Sequence, residues 1–77
     1  MNAMDFESTL KQTPFRRFTI HIGGKSVDVD HPEQVLVTQN KNTVVVALPD
    51  SGIQILDMEL ISSVSLKVSS RSKSKSP

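Results

Sequence analysis

The sequence predicts a mainly β domain, a small antiparallel barrel or curved sheet of five or six strands with a short N-terminal helix. Two observations support this: short runs of alternating apolar and polar residues recur along the chain, and turn-forming residues separate them at regular spacing. With 77 residues and no cysteine, the chain has room for one domain that no disulfide stabilises. A five-stranded barrel of Sm-like or Src-homology type fits, and so does an open-edged sheet that pairs with a second subunit.

The first elements are a helix and a β-hairpin. Residues 5–12 predict the helix, in which Phe6 and Leu10 lie four positions apart on one face and which Pro14 terminates. The segment RFTIHIGGKSVDVD predicts the hairpin, because apolar and polar residues alternate on both sides of Gly23-Gly24. The sequence therefore predicts a tight two-residue turn with one apolar face.

Further strands are predicted in the second half of the chain. They are QVLVTQ, TVVVAL, IQIL and ISSVSLKV, with DMEL as a helical turn before the last strand. The unbroken apolar run TVVVAL predicts burial on both faces or contact with another subunit. The predicted organisation is an N-terminal helical segment at 1–12, a β domain at 13–68 and a disordered, basic, serine-rich tail at 69–77.

The stretch VDVDHPE, residues 27–33, concentrates two aspartates, a histidine and a glutamate. In the hairpin register set by the two-residue turn, its valines face the core, whereas Asp28 and Asp30 face outward. Arg17 lies opposite Asp30 as a cross-strand ion pair, worth about 0.2–1 kcal/mol. Because an exposed sheet face has no walls to enclose an ion, we interpret the aspartates as solvated structural charge. A metal site that they form with His21 is the weaker alternative.

His31-Pro32-Glu33 forms the corner at which the predicted hairpin ends. A residue before proline favours extended backbone, so strand alternation continues through His31 and directs its side chain toward the core. We expect a structural corner, with the His31 ring bonded to backbone or to Glu33. One wall of a groove is the alternative, and a metal or enzyme site is a third reading. No catalytic residue, metal or cofactor is predicted, since no phosphate loop or nucleophile elbow accompanies the corner.

The segment TPFRRFTIHIGGKSVDVDHPEQVLV is similar to a family of short bacterial proteins of uncharacterised function. The shared pattern is a Pro-Phe-x-x-Phe start, a glycine turn and Val-x-His-Pro-Glu. The matching residues are Pro14, Phe15, Phe18, Gly24, Val29, His31, Pro32 and Glu33. The chain departs from that family at Arg17, where a second proline is common, and at Gly23, where the family has an Asp-Gly turn. The resemblance implies a bacterial, cytoplasmic, stand-alone domain and brings no activity, cofactor or substrate.

The charges are unevenly distributed between the body and the tail. The formal net charge of +1 becomes −2 when the three tail cations Arg71, Lys73 and Lys75 are left out. Weak nucleic-acid binding through Arg16, Lys25 and these tail residues is therefore an alternative with thin support, because stacking aromatics are also few. With no apolar run long enough for a signal peptide or membrane span, we expect a cytoplasmic protein with no membrane contact.

The function that these observations favour is a non-catalytic protein-interaction or self-association module. A chain of this size buries only about 60% of its unfolded surface, so dimerisation is one way to stabilise it. The protein partner is unknown, and a homodimer or higher oligomer is expected.

Overall fold

The computed structural model describes residues 1–50 and 52–67, so Val68 and the predicted tail lie outside the described residues. The described part forms one helix and six strands. These are α1 Ala3–Leu10, β1 Phe18–Ile22, β2 Lys25–Val29, β3 Val35–Val37, β4 Thr43–Leu48, β5 Gly52–Asp57 and β6 Ile61–Leu66. Single 3₁₀ turns at Pro32–Gln34 and Met58–Leu60 lead into β3 and β6. No helix in the described residues has the length and apolar character needed to cross a membrane.

The strands form two antiparallel sheets of three strands each. Sheet A has the order β2-β1-β6, and sheet B has the order β3-β4-β5. The predicted mainly β class with a short N-terminal helix is confirmed, and the strand number is six. Among the described residues the ladders do not close on themselves, so a barrel of Sm-like or Src-homology type is not confirmed.

The β1-β2 hairpin has the predicted register. Phe18 pairs with Val29 and Ile20 pairs with Val27 across the two strands. Gly23 and Gly24 have φ angles of 57° and 123°, a region that glycine reaches without the steric cost of a Cβ atom. The turn therefore aligns the apolar residues of both strands on one face, and all four of these paired side chains are buried.

The core lies between the inner faces of the two sheets and is completed by α1. Its buried members are Phe6, Phe18, Ile20, Val27, Val29, Val44, Val46, Leu56, Met58 and Ile61. The Phe6 ring meets the Phe18 ring edge to face, with centroids 5.9 Å apart. This contact joins the helix to β1, the central strand of sheet A, and Leu10 packs against the same core as predicted.

The helix begins earlier than the sequence pattern predicted. The Asn2 side chain accepts a hydrogen bond of 2.7 Å from the Met4 amide, and this cap starts the helix at Ala3 rather than at residue 5. The helix is also tied to sheet B, because Lys41, in the turn between β3 and β4, lies 2.7 Å from the Glu7 carboxylate. The predicted face with Phe6 inward is confirmed.

Strand β6 contains a bulge that adapts its side chains to the core. The pairing with β1 shifts between His21 and Ile22, so Ile61 lies opposite Ile22 while Val64 lies opposite Ile20. The extra residue lets two side chains three positions apart face the same side of the sheet. Strict alternation, as predicted for this segment, would have turned one of them outward.

We expect Phe18→Ala to be the most damaging single truncation in the core. Phe18 is fully buried and contacts both Phe6 and Phe15, so its loss should cost about 3–5 kcal/mol of unfolding free energy. A domain of this size is stable by only about 4–12 kcal/mol, so urea unfolding followed by circular dichroism should show a large shift. Leu60→Ala, at a side chain that is 65% exposed, should change stability by less than about 0.5 kcal/mol.

Candidate interaction surfaces

Gln34 organises the corner that follows the hairpin. Its Oε1 atom accepts hydrogen bonds from the backbone amides of Asp30 and His31, each 2.8 Å long. Its Nε2 atom donates a bond of 2.8 Å to the carbonyl of Ala47 on β4. One side chain therefore joins the end of β2 in sheet A to the central strand of sheet B. The corner therefore has a structural role, and Gln34 rather than His31 or Glu33 makes the contacts that provide it.

His31, Pro32 and Glu33 are all exposed. The His31 backbone is extended, with φ −140° and ψ 143°, as expected for a residue before proline. The prediction that its side chain faces the core is wrong, because the 3₁₀ turn starts at Pro32 and interrupts the strand alternation. Within residues 1–50 and 52–67, the expected hydrogen bond from the His31 ring to Glu33 does not form. The two side chains are at the surface rather than in a shared site.

The predicted ion pair between Arg17 and Asp30 is also wrong. Lys67 takes this place, with its Nζ atom 4.0 Å from Asp30 Oδ1 and 3.4 Å from Asp28 Oδ2. The Lys67 amide donates to the carbonyl of Arg17, the residue before β1, which places Lys67 directly beside the start of that strand. Because β6 returns next to β1, a residue that is distant in sequence supplies the cation. Arg17 remains exposed.

The outer face of sheet A carries a row of polar contacts. The Thr19 hydroxyl donates a hydrogen bond of 2.9 Å to the Asp28 carboxylate. This bond is the largest single cause that lowers the pKa of Asp28. Partial burial acts in the opposite direction, and Lys67 adds a further lowering effect. His21 Nε2 lies 2.9 Å from the Ser65 hydroxyl rather than near the aspartates. The described residues contain no group of three acidic or histidine side chains placed to hold a metal ion.

The outer face of sheet B is apolar, in contrast to that of sheet A. One row across the sheet is Leu36, Val45 and Ile55, and the next row is Ala47 and Ile53. We call these five residues the apolar face. Leu36, Ile53 and Ile55 are 62%, 67% and 72% exposed. An antiparallel sheet that faces water normally alternates apolar and polar residues, so this face has the composition of a contact surface.

The run TVVVAL contributes to both sides of sheet B. Val44 and Val46 are fully buried in the core, whereas Val45 and Ala47 point to the apolar face. The predicted burial of this strand on both faces is therefore wrong for the described chain. Its alternative, contact of one face with another subunit, stays a prediction.

The basic residues that sequence analysis grouped for nucleic-acid binding are separated. Arg16 precedes β1, at the open end of the hairpin. Lys25 lies at the other end, beside the turn, where it pairs with Ile22. Both are exposed, but they do not form one continuous track. The predicted contacts at Arg71, Lys73 and Lys75 lie outside the described residues.

Gln34 and the apolar face were missed at the sequence level. A signal for Gln34 was present, because His31-Pro32-Glu33-Gln34 resembles a capping box with proline at its first position and glutamine at its third. Such a glutamine is expected to bind the backbone amide of the residue that begins the turn. The apolar face had no equally clear signal, because its residues come from three strands and meet only in the folded sheet.

No family model, curated protein or solved structure matches the chain. The resemblance to the family of short bacterial proteins therefore stays a prediction, and the candidate surfaces have to be interpreted from their own geometry.

We expect Gln34→Ala to destabilise the fold by about 1–3 kcal/mol, because two backbone amides and one carbonyl lose their partner. Chemical denaturation of the two proteins side by side measures the difference. Gln39→Ala is a matched control, since it removes the same side chain at an exposed position. Equal stabilities of the two variants would contradict the role assigned to Gln34.

We expect Thr19→Val to raise the Asp28 pKa toward its ordinary value of 3.8, because the hydrogen bond that mainly lowers it is lost. The folded-state pKa lies below the unfolded-state value, so ionised Asp28 stabilises the fold above about pH 3.8. That contribution disappears as the pH falls through the folded-state pKa. Carboxyl carbon NMR titration measures the shift. Lys67→Ala should raise the pKa as well, because Lys67 lowers it through a hydrogen bond and through its charge. An unchanged Asp28 pKa in Thr19→Val would contradict the role assigned to the hydroxyl.

Proposed function

We propose that the protein is a non-catalytic interaction module that forms a homodimer through the apolar face of sheet B. The observation that carries this proposal is the presence of three largely exposed aliphatic side chains, Leu36, Ile53 and Ile55, on the same outer face of one sheet. The same chain covers the outer face of sheet A with polar groups. The difference between the two faces supports a specific use of sheet B.

The size of the face supports a dimer of modest stability. Sheet B has strands of three, six and six residues, which at about 3.3 Å per residue and 4.8 Å between strands present on the order of 240 Å² of flat surface. If side-chain relief roughly doubles this area, contact over the whole outer face of sheet B would bury on the order of 1,000 Å² in total, about the lower limit for a specific interface. Contact restricted to the apolar face would bury less. We therefore expect a concentration-dependent dimer.

The chemistry of the face favours a second copy of this chain as the partner. A two-fold interface needs a surface that is complementary to itself, and a flat sheet of aliphatic side chains fulfils this requirement. The five residues of the apolar face carry no charge, so two copies can meet there without desolvating an ion. Asp57 lies in the next row, opposite Thr43, at the margin where it can stay hydrated.

In this proposal the His31-Pro32-Glu33 corner has no catalytic role. The three side chains are exposed, and the contacts that hold the corner come from Gln34. The corner acts in this proposal as a support for sheet B, since Gln34 contacts the strand that carries Ala47.

The test is Ile55→Lys, which puts a charge into the apolar face at one of its most exposed positions. The wild-type protein should show a mass that rises from monomer to dimer with concentration in light scattering or analytical ultracentrifugation. The variant should stay monomeric, because association would bury an unpaired ammonium. Ile55 is 72% exposed, so the monomer fold should be retained.

Met4→Lys is the matched control, since Met4 is 73% exposed on the helix and is not part of the apolar face. It should dimerise like the wild type. A wild-type protein that remains monomeric at millimolar concentration would refute the proposal, as would an Ile55→Lys variant that dimerises unchanged.

A further inference from the structure

The free edge of β2 is a second surface, independent of the apolar face. β2 is the outermost strand of sheet A, so no other strand of residues 1–50 and 52–67 lies along one side of its backbone. A two-residue hairpin turn is closed by a hydrogen-bonded pair, here Ile22 and Lys25, and hydrogen-bonded and free residues then alternate along the strand. The backbone groups of Ser26 and Asp28 consequently point away from β1.

The position of Gln34 agrees with this alternation. Asp30 is the next residue whose amide should point away from β1, and that amide is the one that Gln34 Oε1 binds. Gln34 thus occupies the end of the edge, while no other described residue hydrogen-bonds the backbone of Ser26 or Asp28 on their outward side. Two successive ladder positions are left for an incoming strand.

A groove runs beside this free edge. It has a volume of about 510 Å³, and β2 residues Lys25–Asp28 form one wall. Leu48, Pro49, Asp50 and Gln54 complete its lining. A smaller hollow of about 310 Å³ shares Leu48 and Pro49 and continues to His31. The edge therefore borders partly apolar open space.

We propose that this groove binds an extended peptide segment that adds to β2 as a further strand and carries cations at alternate positions with aliphatic residues between them. Backbone hydrogen bonds to Ser26 and Asp28 would provide the pairing. Side chains of an added strand alternate between the two faces of the sheet. One set meets the outer face near Asp28, and the other set meets Leu48 and Pro49.

Charge complementarity selects the cationic partner. On the outer face, Asp28 and Asp30 share the single ammonium of Lys67 at 3.4 and 4.0 Å, which leaves one negative charge uncompensated. One oxygen of Asp30 is buried without a hydrogen-bond partner among the described residues. Asp50 adds a further negative charge to the groove lining, against one positive charge from Lys25. An acidic segment or a nucleic acid would meet this excess negative charge unfavourably.

The test uses the full chain and the synthetic peptide acetyl-Val-Lys-Val-Lys-Val-amide, followed by amide NMR at low salt. We expect saturable binding with a dissociation constant on the order of 100 µM, since so short a peptide buries much less than a standard interface. The amides of Ser26 and Asp28 should exchange more slowly with solvent when the peptide is bound. The Val27 amide, which already bonds to β1, should be unaffected. The same peptide with glutamates in place of lysines should not bind.

Two variants separate the electrostatic and the backbone contributions. Asp28→Asn should weaken binding about threefold to fivefold, the effect of one exposed ion pair. Asp5→Asn makes the same charge change on the helix and should leave binding unchanged. Ser26→Pro should reduce binding further, because it removes an edge amide without cutting the ladder to β1.

The outcomes also separate this inference from the proposed dimer. The monomeric Ile55→Lys variant should bind the peptide as the wild type does, because Ile55 lies on the face of β5 opposite to Gln54, which lines the groove. No saturable shift at Ser26 and Asp28 up to millimolar peptide would overturn the inference. It would also fail if the glutamate peptide bound equally well, or if Ser26→Pro abolished dimerisation, which would make the edge a contact between copies.

Discussion

The Gly23-Gly24 turn fixes the register of β1 against β2, and the remaining contacts follow from that alignment. A two-residue turn at positive φ leaves one way to pair the strands, so Phe18 and Ile20 face the same side as Val27 and Val29. A shift by one residue would exchange the core set for the polar set. β1 is also the central strand of sheet A. This alignment therefore determines where β6 pairs with β1 and where the ring of Phe6, in α1, packs.

Two polar side chains stabilise the end of β2 that leads into the corner. Gln34 binds the last outward amide of β2 and reaches Ala47 in sheet B, which holds the two sheets together at the corner. Lys67 crosses from β6 to the aspartates of β2 on the outer face of sheet A. The Gln34 contact occupies the end of the β2 edge, so a short length of that edge at Ser26 and Asp28 stays free in the described residues. The Lys67 contact compensates one of two aspartates, so the outer face of sheet A keeps a small excess of negative charge.

The two sheets present different surfaces because their outer faces have different compositions. Sheet A offers hydroxyls, aspartates and His21, and its free strand edge borders a groove. Sheet B offers aliphatic side chains in two adjacent rows. In our proposals the apolar face holds a second copy and the groove holds an extended cationic segment. The apolar face is the outer side of sheet B, whereas Leu48 and Gln54 line the groove from its inner side, so one chain can use both surfaces at once.

The mainly β class, the hairpin register and the buried valines of VDVDHPE followed from the sequence, because they depend on alternation and turn chemistry within about ten residues. The long-range contacts did not. Lys67 replaced Arg17 as the partner of Asp30 because β6 returns beside β1, and nothing near Asp30 in sequence encodes that return. His31 faces solvent because a 3₁₀ turn ends the alternation. The apolar face exists only where three strands align, so tertiary structure alone brought its residues together.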